Sequence, residues 1–596
     1  MRQRAAPMRA PHLPRAAWIG LGAAVLVAGA LYVALSSRKP DAPRPPAIPA
    51  PSEAAEGIAR RVAQVMHKER ARLVLQPVPE ARVYLALRKN GLRIAHGFVE
   101  GPDWPRAVLK GVEQLVRDRP AAAEADTVEL CLPHSRSDVK LRKGKPPLGD
   151  KDRGVRGLVL KRGSHTLERC PTQLVADNLS FSAMLEDFGK EQRLAEDALL
   201  EEATAEQYDA HQWLVRLDQN TLQPMFRGNE VVKLDGVTAE TTKQLAAGMT
   251  QWMKAQVQPD GRMVYMYFPS RGDEAPSSKN NMIRQFMATL CLQRIANREQ
   301  TDAARELAGR NLRYNLATFF KLDGDKGLID ERGKYKLGGI ALAALAIIES
   351  PFRAEFAEQE AALRRTVEFM QQPDGSFRTF YGIEQNDNQN FYPGEALLMW
   401  ATVLAEKPDD RALADRFKRA FLYYREWHRQ NTNPAFIPWH TQAYYSVWKR
   451  TRDSELRDFM FEMNDFLSDF QQWDEAPYDD LRGRFYDPDR RAFGPPHASS
   501  TGVYLEGLTD VRMLAREVGD KEREKRYSLV IRRALRSLMQ LQFANDVDMF
   551  YISKKERVFG GVRTNEYDNA IRVDNVQHSL MGLQKLLDDI AAGHTL

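Results

Sequence analysis

Cysteine is scarce in this chain: among 596 residues only Cys131, Cys170 and Cys291 occur. Three thiols cannot build a disulfide framework or a cysteine-rich zinc centre. Cys131 and Cys170 are left either as one pair in an oxidising compartment or as two free core thiols. Charge of one sign is also lacking. The net charge is +6, spread between the N-terminus and residues 136–164, and no basic stripe is interleaved with stacking aromatics. A nucleic-acid partner is therefore not expected. No metal or cofactor motif stands out, and none is expected. What is present is an ordinary globular balance, 43% hydrophobic and 28% charged, in a chain too long for one core, so two or three folded units are expected.

Long apolar runs are absent too, with one exception. Residues 16–35, AAWIGLGAAVLVAGALYVAL, carry no charge and are long enough to cross a bilayer as a helix. Arg2, Arg4, Arg9 and Arg15 precede the run, which favours residues 1–15 in the cytoplasm and the bulk on the far side of a bacterial-type inner membrane, in the periplasm. A cleaved signal peptide is the alternative, with Ser36 and Ser37 near a possible cut. Six prolines follow between Pro40 and Pro51, so residues 36–54 are expected to form an extended stalk.

Residues 55–235 mix helical and strand patterns. A helix is expected over 55–75 from Ile58, Val62, Val65 and Leu73, and others around 105–117 and 181–204. Strands are expected at 82–87, 127–132 and 157–161. This reads as an α+β domain. His96 and His134 have no partners at ligand spacing and are read as structural or solvated.

Residues 240–590 repeat. Polar amphipathic helices begin near 242, 302, 355, 409, 455 and 521. Each is followed by a more apolar one, beginning near 280, 337, 391, 439, 500 and 571. A helix apolar around most of its girth needs cover on both sides, whereas a helix with a charged face looks at solvent. Six such pairs close into two concentric rings, an (α/α)6 toroid whose mouth lies at the N-terminal ends of the inner helices. Gln258-Pro259-Asp260-Gly261, Leu322-Asp323-Gly324 and Gln372-Pro373-Asp374-Gly375 mark reversals after outer helices. The runs RMVYMYF and SFRTFYG that follow two of them alternate like short strands. The fold class is thus mainly α: a C-terminal toroid, a small α+β domain and one transmembrane helix.

The segments leading into the inner helices are polar and aromatic. They hold Tyr381, Glu384, Asp387, Asn390, Trp439, Tyr478, Asp479, His497, Arg563, Tyr567 and Asp568 besides the candidates that follow. Glu395, His440, Asp574 and His578 are the candidate catalytic groups. Tyr392, Arg284, Tyr444, Tyr504, Glu506 and Arg572 are the candidate substrate-binding groups. Rings beside carboxylates and arginines suit sugars, whose apolar faces pack on aromatics and whose hydroxyls and carboxylates need directed partners. Each has a bland reading: Glu395 as a helix-start carboxylate favoured by the dipole, Asp574–His578 and His440–Tyr444 as pairs four apart on one helical face, and the arginines as partners of nearby carboxylates.

FYPGEALLMW, the recurring QPDG–strand pattern and TGVYLEGLTDVRMLAREVGD resemble carbohydrate-active toroid enzymes, closest to the toroid of glucuronyl C5-epimerases. That resemblance implies proton transfer at C5 of a uronic acid by tyrosine and glutamate, and carries over to Tyr392 and Glu395 alone. In the first domain, VYLALRKNGLRIAHGF and GVRGLVLKRG resemble the AMMECR1-like fold. The signature of that family is replaced here by Leu92-Arg93-Ile94-Ala95-His96, and no activity follows. A lanthionine-synthetase-type zinc site is excluded, since Cys291 is the only cysteine of the toroid. Terpenoid cyclases need an Asp-rich acid motif that is missing. The expectation is a membrane-anchored periplasmic protein acting on a polysaccharide or glycoconjugate, by glycoside hydrolysis or uronate C5 proton abstraction. The alternative is a non-catalytic scaffold or glycan-binding part of an envelope assembly.

Overall fold

Apolar residues at 54, 55, 58, 59, 62, 65 and 66 fall on one face of a helix, and in the computed structural model they are the buried side of α1 (Pro51–Lys68). The structure describes residues 51–69 and 81–596. The expected membrane run at 16–35, the segment before it and most of the stalk lie outside the described residues. Among the described residues no helix is long and apolar enough to cross a membrane. Helix α1 begins four residues earlier than expected, inside the stalk region, because a proline fits the first turn, where its missing N–H is not needed. It also ends at Lys68 instead of near 75.

The first layer is an antiparallel sheet. Its strands are β1 (Ala81–Lys89), β2 (Leu92–Gly101), β3 (Thr127–Val139), β4 (Arg156–Arg162), β5 (His165–Arg169), β6 (Thr204–Arg216) and β7 (Thr221–Met225). They run in the order β2-β1-β3-β6-β4-β5, with β7 added to β6. The helix expected at 105–117 is α2 (Trp104–Asp118), begun by Asp103, whose carboxylate accepts from the Arg106 N–H at 2.9 Å. The single helix expected at 181–204 is divided. After α3 (Pro171–Ala176) come α4 (Phe181–Gln192) and α5 (Glu196–Glu202), with Arg193 in the left-handed conformation at the break. Cys131 and Cys170 are free buried thiols in one cluster with Tyr84 and Tyr208.

Six hairpins of helices follow. The outer members are α6 (Ala239–Ala255), α8 (Asp302–Phe319), α10 (Ala357–Met370), α12 (Arg411–Gln430), α14 (Ser454–Asp469) and α16 (Lys521–Leu541). The inner members are α7 (Met282–Glu299), α9 (Leu337–Ile348), α11 (Tyr392–Glu406), α13 (Ile437–Thr451), α15 (Ala498–Glu517) and α17 (Val573–Ala591). Each inner helix packs on the next, and α17 packs back on α7, so the inner ring closes. Every residue of α9 is buried, as expected of a helix covered on all sides. The outer helices keep one charged face in water.

The recurring loop is a stitch between outer helices. In Gln372-Pro373-Asp374-Gly375 the glycine has φ +96°, and a Cβ there would overlap the Arg419 carbonyl of α12. Gln371, Gln471 and Gln542, each just past an outer helix, donate from their side-chain amides to carbonyls of Arg416, Val530 and Leu245, one outer helix further on, at 2.9 Å each. The strand-like runs after these turns are mostly single bridges, such as Gln371 with Phe377. Of the runs RMVYMYF and SFRTFYG only the first holds a strand, Met266–Phe268, whereas the turn at 322–324 joins Phe320–Asp323 to Lys326–Glu331 in a hairpin. In the Gln-Pro-Asp-Gly loops the turn holds the chain against the neighbouring helix.

Sheet and ring belong to one compact unit, Ser52–Leu596. Arg227, fully buried, donates from Nε to Asp480 at 2.6 Å. Tyr478 donates to Asp152 at 2.5 Å, and Asn178 to Asp568 at 3.0 Å. Leu345→Asp, which places an unpaired charge in the closed ring, is expected to cost about 3 kcal/mol or more. Leu322→Asp on an exposed hairpin is expected to stay within about 0.5 kcal/mol of the parent. Urea unfolding of both variants checks the inner and outer assignment; equal losses would contradict it.

Candidate functional site

Where the inner helices begin, the ring is open. A cavity of about 370 Å³ is lined by Asn281, Arg284, Phe391, Tyr392, Glu395, Trp439, His497, Ser499, Tyr504, Asp574 and His578, among others. These residues cap or occupy the starts of α7, α11, α13, α15 and α17. Asn281 caps α7 by accepting from the Arg284 N–H at 3.1 Å, and His497 caps α15 by accepting from the Ser500 N–H at 3.2 Å. Five helix N-termini converge on one cavity, and their partial positive charges favour an anion there.

On one side lies an ionic cluster. Arg572 grips Asp574 with both prongs, Nε to Oδ1 at 2.5 Å and Nη2 to Oδ2 at 2.8 Å. Arg284 Nε lies 2.9 Å from Asp574 Oδ2, and its Nη1 donates to the Tyr265 hydroxyl at 2.6 Å. Burial pushes the Asp574 carboxyl up, but Arg284 and Arg572 overcome this and hold it at about 2. Two guanidiniums share one carboxylate, which leaves the cluster one positive charge in excess. Burial, with Arg572 next in weight, lowers His497 to about 4, so this imidazole is neutral.

Below the same wall, His578 Nδ1 and Glu506 Oε1 share a hydrogen bond of 2.9 Å. The Trp439 ring stands edge-on to it, 5.7 Å between centroids. Across the ring, Glu395 is nearly fully buried, and its Oε2 has no hydrogen-bond partner among the described residues. A Cβ on Gly338 of α9 would overlap that carboxyl group, so the glycine makes room for it. Burial raises Glu395 to about 8, with Lys336 pulling the other way. At neutral pH it is mostly the neutral acid. Tyr392 and Tyr504 are both raised by burial.

Six of the ten candidate residues line this cavity: Arg284, Tyr392, Glu395, Tyr504, Asp574 and His578. Two are corrected outright. His440 is fully buried between the inner and outer rings, stacked on Phe436 at 3.5 Å with Nδ1 on the Phe436 carbonyl at 2.9 Å, and burial lowers it to about 3. Tyr444 is buried among Phe417, Phe421 and Phe459. Both sit on the face of α13 that looks outward to α12 and α14, where rings fill space. Glu506 and Arg572 stand one layer back, Glu506 behind His578 and Arg572 behind Asp574, instead of touching a ligand. Tyr478 and Asp568 of the neighbouring loops meet the sheet layer. Asn281, Phe391, Phe493, Ser499 and Ser500 line the cavity and were not singled out from the sequence. For Asn281 the signal is helix capping, a polar residue just before an apolar helix; Phe391 and Phe493 carry no such signal.

The pH dependence of stability follows from Glu395. A carboxyl kept neutral in the fold, with an ordinary value of 4.5, makes the native state bind more protons between pH 4.5 and 8. Stability therefore falls as pH rises through that window, by roughly 4–5 kcal/mol at 1.36 kcal/mol per unit. Glu395→Gln is expected to remove this fall. Urea midpoints at pH 5 and pH 8 decide it; a variant that tracks the parent at both would show that Glu395 is not held neutral.

The chain matches no protein-family model and no curated protein sequence. Solved structures do match. An unsaturated glucuronyl hydrolase specific for heparin is 12% identical, covering 59% of this chain and 98% of its own, with a TM-score of 0.43. An alpha-1,6-mannanase from a Salegentibacter species is 10% identical, covering 59% and 99%, with a TM-score of 0.41. An uncharacterized protein from Pyrococcus horikoshii is 14% identical, covering 29% and 97%, with a TM-score of 0.20. All three scores are below 0.5, and nothing about the activity of this chain rests on them.

Proposed function

We propose that this protein is a carbohydrate-active enzyme that takes an acidic sugar unit at the ring mouth and works on it by acid/base chemistry. The carrying observation is the pairing of a net-positive Arg284–Asp574–Arg572 cluster with a neutral, buried Glu395 in one aromatic-walled cavity. A sugar carboxylate satisfies the excess charge and the converging helix ends. Arg284 is the contact residue, since it lines the cavity and its Nη2 has no hydrogen-bond partner among the described residues. Trp439, Tyr392 and Phe391 offer faces for the sugar ring. The cavity is at the small end of ligand pockets, which span about 300–1,000 Å³. That suits the terminal unit of a chain.

Glu395 is the proton donor in this reading, because a carboxyl held neutral at pH 7 can give a proton where an ordinary one cannot. Proton chemistry beside a uronate carboxyl is favoured over hydrolysis by two carboxylates. The second carboxyl such a hydrolase needs is Asp574, and both of its oxygens are occupied by guanidinium.

Turnover of uronate-terminated oligosaccharides and of their neutral hexose counterparts tests the reading. Glu395→Gln is expected to lower turnover at least ~100-fold while binding persists. Arg284→Lys keeps the charge but loses the fork, and is expected to weaken acidic substrates about tenfold or more and leave neutral ones unchanged. Equal losses on both would assign Arg284 a structural role, and binding of neither class would overturn the proposal.

A further inference from the structure

We infer that His578 is the proton acceptor of the cavity and that Glu506, one layer behind it, is its positioning residue. The inference rests on the acidic-sugar reading and assigns the group that reading leaves open.

Helix order supplies the first argument. The inner ring runs α7, α9, α11, α13, α15, α17 and closes on α7. Helices α11 and α17 are therefore three places apart in a ring of six and face each other across the mouth. Glu395 belongs to the first turn of α11, and His578 to the second turn of α17. Both line the same cavity. A ligand seated between them has a neutral acid on one side and an imidazole on the other.

The second argument is the hydrogen bond behind the imidazole. Glu506 is fully buried on α15, and its Oε1 lies 2.9 Å from His578 Nδ1. A carboxylate only accepts, so the proton of the neutral imidazole sits on Nδ1 and the lone pair on Nε2. Nδ1 is turned to α15 and is used up. Nε2 has no hydrogen-bond partner among the described residues, and the side chain keeps a small exposure, 12%, to the cavity. The edge-on Trp439 ring limits its rotation.

Thirdly, the arrangement is costly unless used. Glu506 Oε2 has no hydrogen-bond partner among the described residues. The charged groups around it have other partners: Arg294 grips Glu349 at 2.8 Å, and Lys585 lies 2.7 Å from Asp510 and 3.5 Å from the Glu506 carbonyl. A buried carboxyl with one unmet oxygen lowers stability. A hydrogen bond serving only to pack the ring needs no carboxylate. One that must offset a charge appearing on the imidazole does.

The step balances as follows. The C5–H bond of the bound uronate breaks, and its proton goes to His578 Nε2. The electron pair moves into the sugar carboxyl, which Arg284 holds. Glu395 returns a proton to C5 from the opposite side of the ring, so nothing is oxidised or reduced. The imidazolium so formed is offset by Glu506.

Two measurements test this. On unliganded protein with ¹⁵N-labelled histidine, long-range ¹⁵N–¹H correlation reads the tautomer directly, with His578→Ala assigning the signal. The expected result is Nδ1–H with bare Nε2. An Nε2–H tautomer would overturn the inference without touching the acidic-sugar reading. In D2O, deuterium appearing at C5 of a uronate-terminated disaccharide reads proton transfer. His578→Ala is expected to abolish it, and Glu506→Gln, which keeps shape without charge, to lower kcat tenfold or more at unchanged KM. Exchange that persists in His578→Ala, or a Glu506→Gln effect confined to KM, would also overturn it. Failure of any uronide to bind wild-type protein would instead sink the reading on which this one rests.

Discussion

Closure of the inner ring is the constraint on which the other features depend. Helix α9 is buried along its whole length, and such a helix is stable only if apolar neighbours cover it on every side. Once α17 packs on α7 the ring has no free edge, and the helix starts are forced together at one end. That convergence gathers capping residues, helix dipoles and first-turn side chains into a space of about 370 Å³. The site is a consequence of closing the ring. The residues placed there need only be right for their turn of helix.

Much of the ring was legible in the sequence because burial on all sides leaves a mark. The all-apolar stretch LGGIALAALAII and the charged helices on either side of it distinguish inner from outer without any contact being known. The expected starts near 280, 337, 391, 439, 500 and 571 compare with Met282, Leu337, Tyr392, Ile437, Ala498 and Val573. The site was less legible, and His440 shows why. An inner helix has two buried faces, one toward the lumen and one toward the outer ring, and both are lined with large side chains. Spacing places His440 near the rim but does not say which face it is on. Glu506 and Arg572 failed differently: they are near the ligand space, but behind the residues that touch it. Nothing local to Glu506 shows that His578, 72 residues on, stands in front of it.

The sheet layer has a different logic. It meets the loops before α15 and α17 through polar contacts, the buried Arg227 with Asp480 and the half-buried Asn178 with Asp568, beside apolar ones in which Val175, Leu214 and Met225 join the core of the ring. A buried ion pair contributes little net stability and loses much when one partner is removed, so the polar contacts fix where the layer sits more than how tightly it is held. Tyr478 and Asp568, read from the sequence as rim residues, are instead the ring's half of that contact. A polar, aromatic loop beside a mouth serves a ligand or a neighbouring layer, and composition alone does not separate the two.

The chemistry reduces to one arrangement: two arginines sharing an aspartate, facing a carboxyl that stays neutral. A crystal of the wild-type protein soaked in D-glucuronate tests it most directly. The account requires the sugar carboxylate against Arg284 and the ring against Trp439, with C5 between Glu395 and His578. A glucuronate seated elsewhere, or an empty mouth at saturating concentration, would contradict it.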